Sequence, residues 1–204
     1  MCRLCASDQF ARLNAAVFLD RDGVLIEDVD LLTTTDKIRV LDGVPQALHG
    51  LRQAGFRLIV VSNQAVVARG LATEADVSAI NAEVERHLIE EGGPRLDGFY
   101  FCPHHPRATL PAYRVACECR KPRPGLLVQA AREHDLDLKS SFVVGDRITD
   151  VVAGASVGCR TVLVLTGRHR EPPIETVDPL DGSVQPDHVC ADLPEAAAWI
   201  LSAR

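Results

Sequence analysis

The chain lacks the features that mark a membrane protein, a nucleic-acid binder or a disulfide framework. Its 204 residues contain no apolar run of about 18 residues, the length a membrane-crossing helix needs. No signal-peptide pattern is present either. A soluble, cytoplasmic protein with no membrane partner is therefore expected. Basic residues are in the minority: 22 Lys and Arg stand against 28 Asp and Glu, a net charge of −6. That sign disfavours a nucleic-acid backbone as partner. No linker, internal repeat or low-complexity tract divides the sequence. The cysteines number seven, and an odd count argues against a disulfide framework in a reducing compartment.

What is present suits one compact domain. A chain of this length buries an ample core. Its 47% hydrophobic and 25% charged residues make an ordinary globular balance. Strands are expected over 15–19, 57–61, 98–101, 141–144 and 160–165. Helices are expected over 45–54, with Pro45 near the start and Gly55 beyond the end, and from a Thr73 cap to Gly92-Gly93. Further helices are expected over 125–134, near 149–155, and from an Asp192 cap through 201. Strands alternating with helices imply an α/β fold with a doubly wound, mostly parallel sheet. Residues 167–186, rich in proline and acid, read as a surface loop. Residues 1–14 read as an N-terminal extension to a single domain over 15–204, with Cys2 and Cys5 reduced in a frayed end. Cys159 is expected in the core, and Cys190 beside the last helix.

Three apolar runs end in residues suited to one chemical task. Val17-Phe18-Leu19 runs into Asp20-Arg21-Asp22-Gly23. Two carboxylates that close repel each other unless a cation or a proton lies between them. Mg²⁺ prefers oxygen ligands of this kind together with phosphate, and a carboxylate can itself attack phosphorus. The second run, 57–61, meets Ser62-Asn63-Gln64. The third, 141–144, meets Gly145-Asp146-Arg147, with Asp150 one turn on. In an open parallel sheet, ligands bind outside the carboxyl ends of the strands, so the three ends would converge. A cysteine-rich segment supplies a second candidate centre. Cys102-x-His104 and Cys117-x-Cys119 offer four N/S ligands to a tetrahedral Zn²⁺, with His105 the rival nitrogen.

Asp20-x-Asp22-Gly23, Ser62, Lys121, and Gly145-Asp146 with Asp150 resemble the four motifs of the haloacid dehalogenase superfamily of phosphatases. Tyr100-Phe101-Cys102-Pro103-His104-His105-Pro106, Ala68-Arg69-Gly70 and Cys117-x-Cys119-Arg120-Lys121-Pro122 narrow the likeness to the heptose 1,7-bisphosphate 7-phosphatases. The related histidinol-phosphate phosphatases share much of the pattern. The resemblance runs from about residue 15 to the C-terminus. It implies a capless enzyme whose zinc loop forms one wall of the cleft. It implies hydrolysis of the 7-phosphate of D-glycero-D-manno-heptose 1,7-bisphosphate, or, as the alternative, of histidinol phosphate or another small sugar phosphate. A monomer is expected.

The resemblance also implies roles. Asp20 would be the nucleophile and Asp22 the general acid and base. Asp20, the main-chain carbonyl of Asp22, and Asp146 would hold catalytic Mg²⁺. Ser62, the Asn63 amide and Lys121 would hold phosphoryl oxygens. Arg120 would read a second anionic or hydroxyl-rich part of the substrate, and Arg147 is a further contact candidate. Structural Zn²⁺ would take Cys102, His104, Cys117 and Cys119, since relatives favour the first histidine. Four departures stand near the substrate mouth of relatives: Val24 for threonine, Ser62 for the threonine of many heptose phosphatases, Glu27-Asp28-Val29-Asp30-Leu31 for a His-Gly-Tyr-like tip, and Ala65-Val66-Val67 for a Ser-Gly-Ile-like turn. They leave the phosphatase chemistry intact and the sugar and its anomer open.

Overall fold

The computed structural model describes residues 14–168 and 184–203. Cys2 and Cys5, the extension as far as 13, and 169–183 of the expected surface loop lie outside them. The chain runs β1 (Ala16–Leu19), α1 (Val44–Gln53), β2 (Arg57–Asn63), α2 (Ala65–Ala68), α3 (Glu74–Glu90), β3 (Gly98–Cys102), α4 (Gly125–His134), β4 (Phe142–Gly145), α5 (Ile148–Ser156), β5 (Arg160–Val164), β6 (His188–Cys190) and α6 (Leu193–Ser202). All strand pairs are parallel, in the order β3-β2-β1-β4-β5-β6. The expected doubly wound sheet is the one observed. The chain builds outward from β1 to β3, then returns to lay β4 on the other side of β1. A ligand crevice in such a sheet lies at that reversal, outside the strand carboxyl ends.

Strands covered on both faces must be apolar at successive positions, because their side chains alternate between the faces. β1 shows this directly. Val17 and Leu19 pack with Leu58, Val60, Val144 and Val162 against Leu48 and Leu51 of α1, Ile80 and Val84 of α3, and Ile200 of α6. Ala16 and Phe18 pack on the other face with Ile59, Val61 and Val143 against Leu126, Leu127 and Ala130 of α4 and Ala153 of α5. Each fully buried Leu or Phe contributes roughly 1.5–3 kcal/mol relative to exposure, so the sheet is held from both sides. α3 starts as its sequence demands. Thr73 Oγ1 accepts from the Asp76 N–H at 3.1 Å, and Asp76 Oδ2 accepts from the Thr73 N–H at 2.8 Å, a reciprocal cap.

Among the strands and α-helices of the described residues, two were not expected from the sequence. β6 has only three residues, and its neighbour Asp187 is committed to β5, accepting from Thr161 N at 2.7 Å. α2 is a single turn after Gln64, too short to carry a helical period. Cys159 is buried on the α4–α5 side and Cys190 packs with Leu193 and Ile200. No helix among the described residues is long and apolar enough to cross a membrane.

Candidate active site

The sheet delivers Asp20 to the reversal point. All four β1 residues are fully buried, and the chain leaves the sheet where Asp20 N–H donates to Val144 O at 3.0 Å. The backbone then turns tightly. Arg21 O accepts from Leu25 and Ile26, and Gly23 stands at φ +80°. A side chain at Gly23 would be strained by that φ, and its Cβ would lie 2.8 Å from Asp146 Oδ2. The Asp-x-Asp-Gly pattern thus has a steric cause: the turn must pass close over the acid from β4.

Asp146 follows β4 and Asp150 lies in the first turn of α5; both are 1% exposed. Asp150 caps its own helix, Oδ2 accepting from Arg147 N at 3.1 Å. Gly145 has no room for a side chain, since a Cβ there would meet Asp150 Cβ at 2.2 Å. Oxygens of Asp20, Asp146 and Asp150 all lie within 4.8 Å of one another. Facing them is Lys121, itself 5% exposed. Its ammonium sits 3.1 Å from Asp20 Oδ1 and 2.5 Å from Asp150 Oδ1, and donates to Val61 O at 2.7 Å. Burial opposes that charge, but Asp150 and Asp20 outweigh it and hold the lysine protonated, its pKa raised.

Three acids against one base leave the cluster short of positive charge. Burial, with the charges of Asp20 and Asp150, pushes Asp146 up to about 7. Asp150 is pushed up to about 6, chiefly by burial, against the pull of Lys121. Asp146 Oδ2 accepts from Arg168 N at 2.7 Å, while Asp146 Oδ1 is buried with no hydrogen-bond partner. Asp150 Oδ1 has no aligned hydrogen bond either and meets Lys121 only as an ion pair. A buried oxygen left open costs free energy unless something fills the place. The donor set is all oxygen, which suits a hard divalent cation.

Asp20, Asp22, Ser62, Asn63, Arg120, Lys121 and Arg147, drawn from four separate stretches of chain, line one cleft above this cluster. The Asn63 side chain has an unexpected task. Its Nδ2 donates to Lys121 O and its Oδ1 accepts from Lys121 N, both at 3.0 Å, so it clamps the lysine backbone to the end of β2. Arg120, the next residue back, donates from Nη1 to His104 O at 3.1 Å. Arg69 and His105 also line the cleft. At its mouth Asp28 lies 2.6 Å from Arg168 Nε and 3.9 Å from Arg147 Nη2, and Asp30 lies 3.0 Å from Arg168 Nη2. Thr166 Oγ1 donates to Gly23 O. The start of the expected surface loop is therefore part of the site: Arg168 is tied to Asp146, and Thr166, just ahead of the loop, to the turn after β1.

The cysteine loop between β3 and α4 gathers Cys102, His104, Cys117 and Cys119. The sulfur–sulfur distances are 3.1, 3.1 and 3.5 Å, and His104 Nδ1 lies 3.3 Å from Cys119 Sγ and 3.8 Å from Cys102 Sγ. A bonded disulfide would require about 2.05 Å. A tetrahedron with sulfur arms of about 2.3 Å has edges of roughly 3.7 Å, so the sulfurs are gathered without bonding and stand somewhat closer together than a bound zinc would set them. Burial pushes the Cys119 thiol up to about 11 and Cys102 higher still. Without a cation among them these thiols stay protonated; a coordinating metal is what would let them ionise together. His105, the rival ligand, turns away, its Nδ1 accepting from Arg107 N at 3.0 Å.

Sequence reasoning gave Arg21, Gln64 and Asp28 no role beyond their place in a motif or at the mouth, and passed over Asn81 and Arg168. Arg21 is 1% exposed, a buried cation between two acids. It donates to both Asp22 oxygens at 2.9–3.3 Å, to Gln64 Oε1 at 2.9 Å and to Asn81 Oδ1 at 3.0 Å. Its place between Asp20 and Asp22 was the available signal. Arg168 had none, since it lies in a stretch without periodic pattern.

Comparison with known proteins matches residues 118–196 to a family described as HAD-hydrolase-like. The chain is 39% identical over 186 residues to the D-glycero-beta-D-manno-heptose-1,7-bisphosphate 7-phosphatase of Yersinia pestis, covering 89% of this chain and 94% of that one. It is 39% identical over 184 residues to the enzyme of the same name from Escherichia coli K12, covering 89% and 92%. Among solved structures, D,D-heptose 1,7-bisphosphate phosphatase from B. bronchiseptica, complexed with magnesium and phosphate, is 35% identical. It superposes with a TM-score of 0.77 over 93% of this chain and 99% of that one.

Proposed function

Since this chain belongs to the HAD-like family of heptose 1,7-bisphosphate 7-phosphatases, we propose that it is a phosphatase that hydrolyses the 7-phosphate of D-glycero-beta-D-manno-heptose 1,7-bisphosphate. The observation that carries this reading is the joining, in one cleft, of an acidic cluster, a buried lysine and an arginine borne on the cysteine loop. In this reading an Asp20 oxygen bonds to phosphorus while the ester P–O bond breaks, and Asp22 gives the leaving oxygen its proton. Water then attacks the aspartyl-phosphate and passes a proton to Asp22. The Asp20–phosphorus bond breaks, and inorganic phosphate leaves. Ser62, the Asn63 amide and Lys121 hold the phosphoryl oxygens, where charge builds in the transition state.

The open buried oxygen of Asp146 and the surplus of carboxylates fit Mg²⁺. Asp20, Asp146 and the main-chain carbonyl of Asp22 would hold it, because Asp150 is already engaged by Lys121 and the Arg147 N–H. When bound, it offsets the charge of nucleophile and phosphate. The four N/S ligands of the cysteine loop fit a closed structural zinc. Through Arg120 and Lys121 that loop reaches the substrate.

A bisphosphate has a second anionic end that an aryl phosphate lacks, and Arg120 is the residue assigned to it. Arg120→Ala should raise KM for the bisphosphate about tenfold or more. A charge-assisted hydrogen bond is worth about 1.5–3 kcal/mol, and each 1.4 kcal/mol is a factor of about ten. For 4-nitrophenyl phosphate the change should be slight. Steady-state kinetics on both substrates decide it, and equal losses would remove Arg120 from substrate recognition.

A further inference from the structure

We propose that Arg21 is a positioning residue that sets the working orientation of both Asp22 and Ser62, with Gln64 as the link. This rests on the roles given above to Asp22 and Ser62, and it adds residues that act through those two side chains. A guanidinium only donates hydrogen bonds. Arg21 therefore dictates which end of the Gln64 amide faces it, and that end is Oε1, at 2.9 Å. The opposite end, Nε2, is turned to donate to Ser62 Oγ at 2.7 Å and to Asp22 Oδ2 at 2.9 Å.

Two consequences follow. Ser62 Oγ already accepts from Gln64 and donates to no described residue, so its own proton is left for an acceptor in the cleft it lines. That is where a phosphoryl oxygen would lie. Asp22 is held from two sides, by the Arg21 fork and by Gln64, while remaining 23% exposed and within reach of the cleft. Asn81 of α3 takes the remaining arm, Arg21 Nη1, at 3.0 Å. Since α3 also packs Ile80 and Val84 into the core, the orientation of the reacting groups is fixed to the body of the protein. Preorganisation of this kind removes motions that would otherwise have to be frozen during reaction.

The test is Arg21→Met, which keeps a buried side chain and removes every donor. 4-Nitrophenyl phosphate releases a phenolate that needs no proton, so transfer to Asp20 should lose only the oriented Ser62 donor, about tenfold or less, and stay faster than the step that follows. Hydrolysis of the aspartyl-phosphate needs Asp22 as base and should slow by about 10²-fold. Rapid-quench traces should then show a burst of about one nitrophenolate per active site before a slow steady rate. A folded Arg21→Met protein with the wild-type steady rate overturns the proposal. So does one that loses burst and steady rate equally, since that is what a merely structural role gives. If Arg21→Met does not fold, Gln64→Met decides. It leaves Arg21 paired with Asn81 and removes both Gln64 donations, and a similar burst with about tenfold slowing is expected; wild-type kinetics overturn the proposal. Asp20→Asn is run beside it: turnover by that protein would mean that the nucleophile assignment has failed, a result separate from failure of Arg21.

Discussion

Asp20→Asn, purified and supplied with magnesium, is expected to lose about four orders of magnitude or more in kcat, the scale seen when a nucleophile is removed from an enzyme. An amide nitrogen or oxygen at this position cannot form the aspartyl-phosphate that splits the hydrolysis into two easier steps. The fold should survive. Asp20 oxygens lie within 4.8 Å of buried oxygens of Asp146 and Asp150, and removing one of three crowded charges relieves repulsion. What is lost is the 3.1 Å contact to Lys121, which keeps Asp150 as a partner at 2.5 Å. Melting temperature should therefore stay level or rise while turnover disappears. Activity near wild type would sink the assignment, and a large fall in melting temperature would show that Asp20 is needed for the fold.

The second large effect belongs to the cysteine loop. The protein as purified should carry about one zinc per chain, the content of one four-ligand site. Cys117→Ser should lose it. Binding to such a site is part of the folding free energy, so Tm should fall by roughly 5–10 °C. Turnover should fall by about a hundredfold or more. The reason is positional. Cys119 is followed directly by Arg120 and Lys121, and the Lys121 backbone is clamped by Asn63 on the other side. A loop freed at the sulfur end can no longer aim an ammonium between Asp20 and Asp150. Added Mg²⁺ should not restore activity, because it binds thiolates poorly. Elemental analysis, melting and kinetics check this together. A wild type without zinc, or a Cys117→Ser protein that keeps zinc and activity, would refute it.

Much of this was legible before any coordinates, for physical reasons. Strands buried on both faces must be continuously apolar, so β1, β2, β4 and β5 stood out, and their polar ends marked the crevice. Thr73 announced the start of α3 because a capping hydroxyl stands just ahead of the first helical residue. β6 did not stand out, since three residues cannot establish a period. Boundaries also moved: β2 runs on through Ser62 and Asn63, so two of the expected site residues are the last of the strand itself. What the sequence hid was pairing. Nothing in Arg21 alone says that it is buried, or that it reaches Asn81 sixty residues away. Nothing in the Asn63 side chain says that it grips the Lys121 backbone. Such contacts depend on which loops meet above the sheet, and that is set by the tertiary fold.

This cleft is expected to remove the 7-phosphate of a heptose bisphosphate. An equimolar mixture of D-glycero-beta-D-manno-heptose 1,7-bisphosphate and histidinol phosphate, with enzyme and magnesium, tests it in one ³¹P NMR time course. The bisphosphate should be consumed first, at a competitive advantage of about tenfold or more, as expected if its second anionic end gains one charge-assisted hydrogen bond. The heptose 1-phosphate signal should grow in step with inorganic phosphate while the histidinol phosphate signal persists. Faster loss of histidinol phosphate, or growth of a heptose 7-phosphate signal, would contradict the claim.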